Sequence, residues 1–122
     1  MANLALTRRA TRDLAEIQRY SIEQWGDRVA EEYLTSIEEA LQCLKDNPGL
    51  LRSKPGVSDH FSFYRVREHF LICTERKQNI YVLAIRHGSM DLPNRVAELE
   101  PLLVDEAEIL HRAFLKSRGR SR

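Results

Sequence analysis

Residues 6–34 read LTRRATRDLAEIQRYSIEQWGDRVAEEYL, and the single glycine in that run decides the fold. Before it, Ala10, Leu14, Ile17, Ser21 and Trp25 recur every three or four residues, the spacing that brings side chains to one face of a helix. Thr7 stands where its hydroxyl can accept an otherwise unpaired amide of the first turn. A helix is therefore predicted from about Arg8 to Trp25. Gly26 permits the left-handed turn that ends a helix, and Asp27 can cap the next one. Ala30, Tyr33, Leu34, Ile37, Ala40, Leu41 and Leu44 then form a wide apolar face. The second helix runs from about Asp27 to Lys45, and Asn47-Pro48-Gly49 stops it. A one-residue connection leaves the two helices as antiparallel neighbours, a helical hairpin.

Outward from the hairpin the period changes. Asn3 to Leu6 reads as a short first strand. Leu50 to Asp59 contains Pro55-Gly56 and reads as a loop. Phe61 to Arg67, Phe70 to Thr74 and Ile80 to Arg86 have strand character, with a tight turn expected at Glu68-His69 and a polar one across Glu75 to Asn79. Short links between consecutive strands imply an antiparallel meander. Its continuous apolar runs imply cover on both faces, the hairpin on one and another element on the other. Asp91 to Pro93 can start a further helix, in which Val96, Leu99, Leu103, Ala107, Leu110 and Phe114 keep helical spacing. Pro101 predicts a kink there or two successive helices. Ser117 to Arg122 reads as a frayed basic tail. The fold class is α+β: a helical hairpin packed on a small twisted antiparallel sheet, with a C-terminal helical extension. Residues 1–93 make the hairpin-and-sheet domain, and 94–122 the extension and tail of the same globular unit.

Composition narrows the function. A chain of 122 residues suits one domain. Nineteen Lys and Arg face eighteen Asp and Glu, a net charge of +1, so nothing draws the whole molecule to nucleic acid or membrane. No apolar run approaches the roughly 20 residues of a membrane helix. The stretch before Arg8-Arg9 is too short for a signal sequence, and a cytoplasmic location is expected. Cys43 and Cys73 sit far apart in apolar periodic segments and read as two buried, reduced thiols. His60, His69 and His111 show no metal-ligand spacing, so neither metal nor cofactor is expected.

The chemistry concentrates at IRHGSMDLP, residues 85–93. Strand alternation places Arg65 and Arg67 on one face. If Arg86 joins them, the three make a cationic patch able to hold a phosphodiester, with His87 as the acid–base group of a ribonuclease. The other reading pairs Arg86 and His87 with carboxylates at a strand end. No spacing rule chooses between the two.

The stretches at Leu6–Leu34, Asp46–Leu51 (DNPGLL) and Val82–Pro93 (VLAIRHGSMDLP) resemble the RelE/ParE superfamily of type II toxin–antitoxin modules, closer to its ParE branch. The resemblance spans about Ala5 to Pro93. It implies a toxin held inactive by a cognate ParD-like antitoxin in a hetero-oligomer, with the antitoxin and not the toxin contacting DNA. The ParE branch is associated with inhibition of DNA gyrase and has no assigned catalysis. The RelE branch cuts messenger RNA on the ribosome. Carried onto this chain, the toxicity or target-binding rim falls on Arg86, His87, Ser89, Met90 and Asp91. The antitoxin-binding candidates are Trp25, Tyr33, Arg65 and Arg67. The nuclease alternative uses Arg65, Arg67, Arg86 and His87. The segment from Asn94 to Arg122 extends beyond the usual ParE-like end.

Overall fold

The computed structural model describes residues 3–54, 57–88 and 92–120, with backbone only at 59, 92 and 118–120. Strand β1 (Asn3–Leu6) leads into helix α1 (Arg8–Asp46). A single 3-10 turn (Pro48–Leu50) follows, then β2 (Arg52–Lys54), β3 (Ser58–Val66), β4 (His69–Arg76), β5 (Asn79–His87) and helix α2 (Leu92–Arg120). The five strands form one sheet in the order β1-β5-β4-β3-β2.

α1 holds the expected hairpin. Its hydrogen-bonded run breaks at Gly26, where φ is 87° and ψ is 171°, a conformation open only to a residue without a Cβ. Thr7 caps the start as expected, its Oγ1 accepting the Ala10 amide at 3.2 Å. The same hydroxyl donates to the Leu83 carbonyl at 3.0 Å, and the Thr7 amide donates to Val82 O at 3.0 Å. Thr7 therefore fixes the first turn of α1 against β5 as well as capping it.

Three details of the sheet differ from expectation. First, β1 pairs parallel to β5, with Asn3 opposite Asn79 and Leu6 opposite Val82, while β3, β4 and β5 form the antiparallel meander. The sheet is mixed because α1 is the crossover that returns the chain to the far edge. Second, the stretch predicted as loop contributes the edge strand β2 and the start of β3, joined through a register shift at Ser53/Lys54. Third, the first hairpin turns at Arg67-Glu68, with Arg67 at φ 53°, and His69 is already in β4. Arg67 lies outside the strand, so alternation does not align it with Arg65.

Both faces of the sheet are covered. On one, Ile17, Tyr33, Ile37 and Leu44 of α1 pack on Val66, Leu71, Cys73, Ile80, Val82 and Ile85. On the other, Val96, Leu103 and Ala107 of α2 pack on Phe61, Phe63, Ile72, Tyr81, Leu83 and Ala84. Each large side chain so buried is worth about 1.5–3 kcal/mol of transfer free energy. β5 has all seven residues from Asn79 to Ile85 buried because helices lie on both its sides. A one-residue bulge in β5 shifts the register between Ile72 and Cys73, so that Val82 opposes Cys73 but Ala84 opposes Ile72. The inward phase changes across the bulge: Ile80 and Val82 face α1 before it, and Ile85 does so after it.

α2 is one continuous helix through Pro101, and its backbone stays helical to Arg120, where a frayed tail was expected. Polar clasps bind it to the rest of the molecule. Glu106 takes Arg9 through two 2.9 Å bonds, Ser58 donates to Glu100 at 3.0 Å, and Arg76 pairs with Glu108. The Tyr81 hydroxyl and His111 Nδ1 meet at 2.7 Å in the buried layer between sheet and helix. Of the two cysteines only Cys73 is buried, where burial pushes its thiol up to about 12. Cys43 is exposed, on the outer side of α1. No helix among the described residues is long and apolar enough to cross a membrane.

Candidate functional site

A groove of about 800 Å³ opens where the bend of α1 meets the β3–β4 turn and the end of β5. Glu16, Ile17, Tyr20, Ser21 and Trp25 form one wall, and Tyr33, Glu68, His69 and His87 the floor and far side. Helical spacing supplies the wall, since residues 17, 21 and 25 follow one another on one face. Tyr20 and Trp25 stand at the rim, 56% and 55% exposed, in an edge-to-face contact with centroids 5.9 Å apart. Ile22 and Val29 are further exposed apolar residues of α1.

The floor is a polar chain. The register of β4 and β5 places His69 opposite His87, and their rings meet edge to face at 5.1 Å. The Tyr33 oxygen accepts the Glu68 amide at 3.2 Å, and the same hydroxyl meets His69 Nδ1 at 2.6 Å. Burial and the neighbouring His87 push His69 down to about 4, so the ring is neutral near pH 7. Burial also raises Tyr33. Gly88 closes the end of the hairpin by donating its amide to Glu68 O at 2.7 Å. A Cβ on Gly88 would lie 3.0 Å from Phe70 Cε2 and 3.4 Å from Glu68 O, so a larger residue there requires the Phe70 ring to give way.

The three arginines have separate partners. Arg86 Nη1 donates to Asp13 Oδ2 at 2.6 Å, with both side chains less than one-fifth exposed. The same Asp13 oxygen accepts the Ile85 amide at 2.9 Å. β1 ends opposite Val82, so Asp13 takes over a donor on the part of β5 that β1 leaves open. Arg86 is thus the strand-end residue paired with a carboxylate, one of the two readings of the sequence. Arg65 donates to Arg67 O at 2.8 Å and lies over the Phe70 ring at 5.6 Å. Arg67 donates to Ser36 Oγ at 2.9 Å and lies over Tyr33 at 5.6 Å. The three guanidiniums thus have three different sets of partners, and Arg65 and Arg86 flank Phe70 in one cross-strand row.

Of the remaining expected site residues, His87 and Tyr33 face the groove and Trp25 stands at its rim, while Ser89, Met90 and Asp91 lie outside the described residues. Sequence reasoning missed His69, Tyr20 and Ile17. The signal for His69 was the strand register. Counting back from a two-residue turn at Lys77-Gln78 pairs His69 with Arg86, and only the bulge in β5 shifts it to His87.

A helix pair folded over one face of a five-stranded sheet is the architecture of the RelE/ParE toxin superfamily. Residues 4–92 match the family model described as ParE toxin of type II toxin-antitoxin system, parDE. The chain belongs to this ParE toxin family. It is similar to Toxin ParE of Escherichia coli, 28% identical over 99 residues that span 80% of this chain and 96% of that protein. Its fold is similar to a chain of the chromosomal ParDE TA system from P. aeruginosa, with a TM-score of 0.63 at 19% identity, covering 71% of this chain and 96% of that one. The family match ends at the first residue of α2.

Proposed function

We propose that this chain is the toxin of a type II pair, neutralised by a ParD-like antitoxin and acting in the cytoplasm by binding and inhibiting DNA gyrase. The observation that carries the reading is the family match across residues 4–92, every element except α2. Tyr20 and Trp25 of α1 border the groove and, with the exposed Ile22 and Val29 elsewhere on α1, offer an amphipathic antitoxin segment an apolar seat. Arg65 and Arg67, exposed at the β3–β4 turn, receive its acidic residues. In this reading His87 belongs to a rim that docks on the target together with Ser89, Met90 and Asp91. Arg86 supports the rim through Asp13, and no residue acts as a catalyst.

The test is a pair of assays on antitoxin-free protein: gyrase supercoiling, and cleavage of translated message on ribosomes. Inhibited supercoiling with intact message is expected. Normal supercoiling at saturating protein would overturn the gyrase assignment, and cut message would move the activity to His87 and the arginines. Trp25→Ala is expected to weaken antitoxin binding by about tenfold or more, as loss of a large aromatic anchor does, while leaving thermal stability unchanged.

A further inference from the structure

We infer that the outer face of α2 is a self-association surface, on which a second copy of this chain docks its own α2 in antiparallel orientation. The face lies outside residues 4–92 and on the opposite side of the sheet from the groove, so neither the family match nor the proposed antitoxin seat uses it.

Three observations carry the inference. The first is apolar exposure. α2 buries Val96, Leu103 and Ala107 against the sheet, yet leaves Leu102 50% and Ile109 68% exposed. Seven residues apart, these two fall on one stripe of the helix, directed away from the buried side. Ile109 is the most exposed large apolar side chain among the described residues.

The second is the charge pattern. Residues 98–108 carry five acids, Glu98, Glu100, Asp105, Glu106 and Glu108, and no base. Residues 109–122 carry five bases, Arg112, Lys116, Arg118, Arg120 and Arg122, and no acid. The helix dipole favours such charges only in the first and last turns, and Asp105, Glu106 and Glu108 stand mid-helix. Three of the acids are used internally: Glu100 by Ser58, Glu106 by Arg9, and Glu108 by Arg76 and Arg112. Asp105, between Leu102 and Ile109 on the outer stripe, and Lys116 beyond them have no ion-pair partner among the described residues.

The third is geometric. A two-fold axis at Ile109 stacks this side chain on its own copy. At the rise of a helix, Asp105 lies about 6 Å to one side of the axis and Arg112 about 4.5 Å to the other. An antiparallel copy therefore brings Asp105 of each chain beside Arg112 of the other, and the acidic half of each helix beside the basic half of its mate. The Lys116 stem reaches Leu102. A parallel arrangement would set acid against acid. Self-complementarity about one axis is the requirement of a closed two-fold pair. With only two large apolar residues per copy, the dimer is weak, depends on concentration and loosens with salt.

The experiment is sedimentation of the full chain across a concentration series at low and high salt, with circular dichroism as the folding control. A monomer–dimer equilibrium is expected, shifted toward monomer by salt and abolished by Ile109→Glu. Asp105→Arg and Arg112→Asp should each weaken association by about tenfold, and the two together should restore it, since the swap rebuilds the pair with its sign reversed. Charge-swap rescue distinguishes this surface from any other and does not depend on how the Ile109 variant behaves. A chain that stays monomeric throughout, a dimer indifferent to Ile109→Glu, or a swap that fails to rescue would each overturn the inference. So would a monomer whose Ile109→Glu variant loses affinity for its antitoxin, which would give the face to that partner.

Discussion

The Tyr33 hydroxyl of α1 lies 2.6 Å from His69 Nδ1 on the first residue of β4, and this bond joins the helical hairpin to the floor of the groove. Because Tyr33 also accepts the Glu68 amide, one side chain orders both the β3–β4 turn and the histidine after it. Burial and the neighbouring His87 keep His69 neutral by pushing it down to about 4.

Stability should therefore fall with acid through a window set by this ring. In the unfolded chain histidine takes a proton near its ordinary value of 6.5, whereas in the fold it does so only at about 4. Between those values the unfolded state binds more protons, so the folded state loses ground as pH drops from 6.5 to 4 and loses no more from this group below that. Once the partial exposure of the ring is discounted, the loss is of order 1–2 kcal/mol. Urea denaturation at a series of pH values checks it. The difference between wild type and His69→Gln should change across that window and be level above pH 7.

Asp13→Ala should cost about 2–4 kcal/mol, because it orphans the Ile85 amide and leaves Arg86 part-buried without its carboxylate. Arg86→Ala should cost less, since Asp13 keeps the Ile85 amide. A double-mutant cycle by chemical denaturation should return a coupling of about 1 kcal/mol or more between the two. Additive losses would show that the pair does not act as a unit.

Gly26→Ala should destabilise by about 1–3 kcal/mol through backbone strain alone. No heavy atom outside its immediate chain neighbours lies within 4 Å of a Cβ built there, so sterics with the surroundings contribute nothing. The loss should appear as a lower melting temperature with an unchanged far-ultraviolet spectrum.

Leu103 is fully buried between α2 and the sheet, and Leu103→Ala should cost about 2–5 kcal/mol. Ending the chain after Pro93 should do far more harm. It uncovers Phe61, Phe63, Ile72, Tyr81 and Leu83 together, and the product should be insoluble or should bind a hydrophobic dye. A soluble, cooperatively folding product would show that α2 is dispensable to the core.

What the sequence determined by itself is whatever rests on neighbours along the chain. The period of Ala10, Leu14, Ile17, Ser21 and Trp25, the break at Gly26, the Thr7 cap and the centres of the three long strands are local patterns and form as expected, while the strand ends and the first turn shift. The ParE-like class was legible for the same reason, because its motifs are short runs fixed to those elements. The groove depends on contacts between residues far apart in sequence. A bulge in β5 sets His69 across from His87, and turn counting cannot anticipate it because the extra residue is accommodated by packing on both faces of the sheet. Asp13 meets Arg86 because β1 stops short and leaves a β5 amide to be satisfied. The Arg-His pair at the strand end was visible in the sequence. Only the tertiary structure divided it, sending Arg86 to brace the sheet edge and His87 to face the groove, because side chains that alternate along a strand cannot share one site.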